Sequence, residues 1–245
     1  KNSNHEEQNE NSINDNEILT MSYITELKRL LQIHQSKFNR KRAVLITTGS
    51  YCPIHKGHLN ILDVASKFLS NEYQIDSILG IISPSKDNFV SMKFGHEKIS
   101  FEHRYKMTEL ACNEHNLQIG NEGLFIVPND WEGTQETEIN FIQVYFHFKE
   151  EIGRLLNDSN LIVLYVCGGE LFMDSGCSIF GGFVGIARPG FHINESSKPD
   201  KHIYVCNDKK YTGFYSDATL AIKLAKEKGE PIVGLTYDSV AKYLH

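Results

Sequence analysis

Two histidines, His55 and His58, stand three residues apart in the stretch TTGSYCPIHKGHLNIL, which runs from Thr47 to Leu62. The stretch leaves an apolar run, turns at Gly49 and Ser50 and is stiffened at Pro53. It then enters an amphipathic helix at Gly57 and His58, with Leu62, Ala65 and Leu69 on the face of His58. A helix N-terminus carries unpaired N–H groups and partial positive charge, so this arrangement suits an anion held above the end of a strand. Histidines on the first turn of that helix can both direct hydrogen bonds at the same anion. The spacing alone has a blander reading. With 11 histidines in 245 residues, one surface histidine and one helix-capping histidine would look the same, so the surroundings must carry the meaning.

Those surroundings are short, nearly continuous apolar runs, AVLITT, SILGIIS, LFIVP, LIVLYVC, FVGIA and IYVC, separated by helical patterns. The spacing predicts helices over 57–69, 101–115, 136–156, 217–228 and 237–243. Strands buried on both faces and alternating with helices define an α/β fold, a Rossmann-like doubly wound parallel sheet with helices on both faces. Ligands of such folds bind beyond the carboxyl ends of the strands, where the loop after AVLITT lies. Upstream, residues 1–20 are rich in Asn and Glu and read as a disordered leader. Residues 21–40 read as an N-terminal docking helix, with Ile24, Leu27, Leu30, Leu31, His34 and Phe38 at helical spacing, and residues 41–245 as the main domain.

GSYCPIHKGHL resembles the T/H-x-G-H signature of the nucleotidyltransferases, and GIISPSKDNF is similar to the G-I-I-S-P-x-x-D-x-[YF] segment of nicotinamide/nicotinate mononucleotide adenylyltransferases. EHRYKMTELA, NDWEGTQETEINFIQVYFHF, YVCGGELF and GIARPG fall in the family's order and resemble its H-R-x-x-M-x-E-L-A helix, D-x-W-E loop, C-G-A-D segment and C-V-x-R-x-G segment. The resemblance covers about residues 43–190 and extends loosely to the C-terminus. It implies a nucleotidyltransferase domain over 41–245 that joins the adenylyl group of ATP to nicotinamide or nicotinic acid mononucleotide, with Mg²⁺ accompanying ATP and no metal ligands from the chain.

By the same resemblance, Gly49, Ser50, Tyr51, His55 and His58 face ATP, joined by Gly168, Arg188, Ser216, Thr219 and Lys223, with His55, His58 and Lys223 catalytic. Ser50, Lys86, Trp131, Gly169, Glu170 and Phe172 would hold the mononucleotide, the sole tryptophan stacking on its pyridine ring. The sequence departs from the family in three places. Glu170 stands where the family has Asp, and no second Trp follows YVCGGELF, which leaves Phe172 or Phe180 as substitutes. The terminal I-S-S-T-x-I-R signature falls on Ala218, Thr219, Leu220, Ile222 and Lys223, with Ser216 as an alternative hydroxyl.

A net charge of −6 and a pI near 6.0 argue against an extended nucleic-acid-binding face, so anion binding must be local. Five cysteines without a C-x-x-C pair suggest neither a disulfide framework nor a zinc site, and they fit buried thiols in a reducing compartment, cytoplasm or nucleus. The longest apolar run is too short to span a bilayer, so no membrane partner is expected. Whether the chain forms a homo-oligomer stays open. Alternative functions are a pantetheine-phosphate adenylyltransferase, a cytidylyltransferase, or a nucleotide-binding or chaperone-like relative with weakened transfer.

Overall fold

The computed structural model describes residues 15–33, 40–120, 123–212, 222, 227–229, 232 and 234–244. Strand β1, Lys41–Gly49, lies at the centre of a six-stranded parallel sheet. Its neighbours are β2, Ile75–Pro84, and β4, Leu161–Gly168. β3, Ile126–Pro128, pairs with β2 at one edge, while β5, Phe183–Ile186, and β6, Ile203–Cys206, extend the other. The resulting order β3-β2-β1-β4-β5-β6 is the doubly wound arrangement expected from the sequence.

Two apolar layers hold the sheet, and strand periodicity divides β1 and β4 between them. Ala43, Leu45, Leu164 and Val166 face one layer, while Val44, Ile46, Val163 and Tyr165 face the other. The first layer is closed by α2, Lys56–Tyr73, whose Leu59, Leu62, Ala65 and Leu69 recur at helical spacing. Gln74, in the left-handed conformation at φ 57°, stops that helix and donates its backbone N–H to the Leu69 carbonyl. After β2 comes α3, Asp87–Phe94, and then α4, Phe101–Ile119, whose Met107, Ala111 and Cys112 join the same layer.

The second layer is closed by α1, Asp15–Ile33, and by α6, Phe141–Leu156, which contributes Val144, Tyr145, Phe148 and Ile152. α1 buries Tyr23, Ile24, Leu27 and Leu30, and it starts at Asp15, within the stretch read as leader. His34 and Phe38 lie outside the described residues. The helix expected from residue 136 begins at Phe141, because Asn140 and Gln143 exchange side-chain and backbone hydrogen bonds of 3.0 Å in a capping box.

Short helices complete the chain: α5, Trp131–Thr134, before α6, then α7, Gly169–Asp174, and α8, Cys177–Phe180, after β4. α9, Lys209–Thr212, and α10, Asp238–Leu244, follow β6. Most of the helix expected over 217–228 lies outside the described residues. The five cysteines are buried free thiols, and no helix among the described residues is long and apolar enough to cross a membrane.

Candidate active site

Between β1 and β4 the chain turns from one side of the sheet to the other, which opens a crevice at their carboxyl ends. A cavity of about 360 Å³ lies there, lined by Thr47 to Cys52, the start of α2 and the end of β4. Thr48 and Tyr165 join hydroxyls at 2.7 Å across its floor, tying the two strands together where they diverge.

The loop leaving β1 folds tightly. Tyr51 takes φ 43° and turns its buried ring back over Gly49, where a Cβ would meet the ring at 2.7 Å, so only glycine fits. The same ring meets His58 edge-on, with centroids 4.9 Å apart. His55 is 2% exposed at the N-cap of α2, and its ring stacks on that of His58 at 3.6 Å. The His55 backbone N–H donates to His58 Nδ1 at 3.1 Å. In the neutral imidazole the proton therefore sits on Nε2, which leaves His58 a donor. Burial, with His55 and Lys93 adding like charge, pushes the His58 pKa well below that of an ordinary histidine. Gly57 and His58 both line the cavity, and the first turn of α2 carries no acidic residue to compete for its N–H groups.

Ser50 and Gly168 line the same cavity. A Cβ on Gly168 would meet only Glu170 Oε2, at 3.8 Å, so protein packing leaves the space beside it open. Gly169 differs, because its Cα lies against the Phe191 ring, where a Cβ would come within 2.6 Å. Glu170 and Arg188, from the ends of β4 and β5, form an ion pair with each other. Phe172 is a core side chain, 1% exposed and packed on Gly185, with no face open to a ligand. Exposed Phe180 borders a different hollow beside Lys149 and His202. Ser216, Thr219 and Lys223 lie outside the described residues.

Lys86 sits at the N-cap of α3, and its ammonium donates to the backbone carbonyls of Gln135 and Glu136, the latter at 2.7 Å. It thus holds the segment that follows Trp131, with one donor left for a ligand. Trp131 opens α5, its backbone N–H bonded to Asn129 Oδ1 at 2.9 Å.

Three residues at the site were not singled out from the sequence. Lys93 lines the cavity as an exposed cation at the end of α3. Arg104, 0% exposed, donates to the Ser50 carbonyl at 2.9 Å, the Ile99 carbonyl at 2.9 Å and Asp87 Oδ1 at 2.8 Å. It locks the loop after β1 to the start of α3. Glu132, 3% exposed, has its pKa raised to about 7 by burial, against the opposing pull of the Ser85 and Ser83 hydroxyls and the Arg104 charge. Arg104 and Glu132 each carried a signal as a letter of a motif, H-R-x-x-M and D-x-W-E, whereas Lys93 becomes visible only through the fold.

A doubly wound sheet with the His58 donor and a helix start free of acidic side chains at its switch point has the geometry of a site for a phosphate-bearing ligand. The chain belongs to the Cytidylyltransferase-like family, which its residues 46–180 match. Among curated proteins it is similar to the nicotinamide/nicotinic acid mononucleotide adenylyltransferase of Schizosaccharomyces pombe, 26% identical over 141 residues that cover 54% of this chain and 35% of that one. It is also similar to nicotinamide/nicotinic acid mononucleotide adenylyltransferase 1 of Saccharomyces cerevisiae, 27% identical over 114 residues covering 46% of this chain and 26% of the relative. The matched segment thus spans about a third or less of these relatives' length. Among solved structures, Plasmodium falciparum nicotinic acid mononucleotide adenylyltransferase complexed with APC superposes with a TM-score of 0.52 at 19% identity, covering 84% of this chain and 94% of that one. That superposition supports the fold.

Proposed function

We propose that this chain transfers the adenylyl group of ATP to nicotinamide or nicotinic acid mononucleotide, releasing pyrophosphate and forming the dinucleotide. The observation that carries the reading is the junction of β1 and α2, where Ser50, Gly57 and a neutral His58 line one cavity at the topological switch point. The names of the curated relatives support the choice of substrates.

A mononucleotide phosphate is already ionised near neutral pH, so its oxygen can attack the α-phosphorus of ATP without a covalent nucleophile or a strong base. A new P–O bond forms as the bond to the departing pyrophosphate breaks, and the protein's task is to align the two phosphates and hold the developing charge. The α2 N–H groups, the His58 Nε2–H donor and the Lys93 cation serve that task. Gly168 lets the nucleotide approach the backbone.

Transferases of this kind generally use a divalent metal, and Mg²⁺ would enter as part of the ATP substrate. The cavity's hydroxyl, imidazole, ammonium and N–H groups complement phosphate oxygens, and among the described residues no three His, Cys, Asp or Glu side chains converge to ligate a cation. No step is assigned to a protein-held metal. Incubation with ATP, Mg²⁺ and each mononucleotide in turn, followed by chromatography, is expected to yield a dinucleotide and pyrophosphate in equal amounts. ATP consumed without a dinucleotide would overturn the reading.

A further inference from the structure

The ring that covers Trp131 is an imidazole. His147 of α6 lies face to face with the indole, centroids 3.7 Å apart and planes inclined by only 3°. Parallel stacking this close puts both rings at contact distance, so one face of Trp131 is in contact with the imidazole. The imidazole is itself held from behind. His147 Nε2 lies 3.5 Å from Glu151 Oε2, one helical turn on, and that carboxylate accepts a hydrogen bond from the Tyr23 hydroxyl of α1. Phe148 braces the group edge-on, 6.5 Å from Trp131, 5.1 Å from His147 and 5.6 Å from Tyr23. Burial keeps His147 less basic than an ordinary histidine, against the raising influence of Glu151 and Glu150, so a neutral aromatic plate backs the indole.

We propose that His147 is a positioning residue for substrate binding: it backs Trp131 on the α6 side, holds the indole plane fixed, and reserves the opposite face for the pyridine ring of the mononucleotide. The inference rests on the function proposed above. Neither Phe172 nor Phe180 stands ready as a second aromatic, since the first is core and the second borders another hollow. Order is therefore imposed on Trp131 from behind by His147, Glu151 and Tyr23. A pre-fixed ring loses less freedom when a ligand stacks on it, so the gain appears as mononucleotide affinity.

The sole tryptophan makes a direct test available, because all intrinsic tryptophan emission comes from Trp131. His147→Ala and His147→Phe would be compared with the full chain in two measurements, steady-state kinetics with each substrate varied and quenching of tryptophan emission by the mononucleotide alone. His147→Ala is expected to raise the mononucleotide KM and quenching constant about five- to tenfold, with kcat and the ATP KM within about twofold, as for loss of one aromatic stack and the order it imposes. His147→Phe, which keeps a flat ring, is expected to restore both. A dinucleotide-forming enzyme whose mononucleotide KM is unchanged in His147→Ala, or whose ATP KM shifts equally, overturns the role of His147 and leaves the function standing. Quenching in the unsubstituted protein without turnover overturns the transfer reaction, and the ratio of quenching constants then decides on His147. Absence of both quenching and turnover overturns the two together.

Discussion

At His58 the backbone decides the chemistry. The His55 N–H, by donating to Nδ1, leaves Nε2 to carry the proton, and burial, with the neighbouring His55 and Lys93 adding to it, disfavours the charged form of the ring. A neutral donor suits the proposed reaction, in which phosphate is bound and pyrophosphate later leaves. Lys93 supplies the positive charge of the cavity lining, so Lys93→Ala is expected to weaken ATP binding about fivefold in calorimetry, the size of one charge-assisted hydrogen bond at an exposed position. Glu132 has a different consequence. In the unfolded chain it ionises at 4.5, while in the folded chain it keeps its proton to about 7, so its contribution to stability is complete below 4.5 and is lost as pH rises to 7. Denaturation across this window should find Glu132→Gln gaining on the native protein by up to about 3 kcal/mol. The histidines were legible because their spacing and the flanking glycines are local. Lys93 was not, because the fold brings it to the site from a helix without apolar periodicity, and Glu132 was legible only as a motif letter, since its burial in the short helix α5 is set by the fold.

Among the elements, α3 was missed from the sequence and matters most to the site. DNFVSMKF buries only Val90, so it shows no apolar stripe, and its place is set by Asp87 pairing with the buried Arg104. Arg104 links α3, the loop after β1 and α4, and its three hydrogen bonds satisfy a charge that burial would otherwise penalise. Arg104→Ala should cost about 3 kcal/mol in denaturant unfolding and raise the KM for both substrates, since the Ser50 carbonyl and Asp87 lose their partner. α1 carries the contrasting prediction. Leu27 is fully buried against the second apolar layer, far in sequence from the cavity loop, and Leu27→Ala should cost about 3 kcal/mol with the ATP KM unchanged. The late start of α6 shows what pattern reading lacks. The apolar periodicity tolerated a start at 136, but the Asn140 cap and the Lys86 bonds to Gln135 and Glu136 keep that segment out of the helix.

Across the whole molecule, the sheet order places the start of α2 at the one crevice where consecutive connections leave in opposite directions. The six apolar runs announced this sheet because parallel strands covered on both faces must be apolar throughout. Their edges were harder to read, since β3 is only three residues long within LFIVP. A net charge of −6 is compatible with a local anion site here, because the cavity is lined by backbone N–H groups, the His58 imidazole and the Lys93 cation. The most direct test of the account is the rate of labelled dinucleotide formation from α-³²P-ATP by the native protein and by His58→Ala at matched melting temperature. The account predicts label in the dinucleotide and a rate about 100- to 1000-fold lower in the variant, the usual cost of removing one donor to developing charge. Equal rates in the two proteins would contradict it.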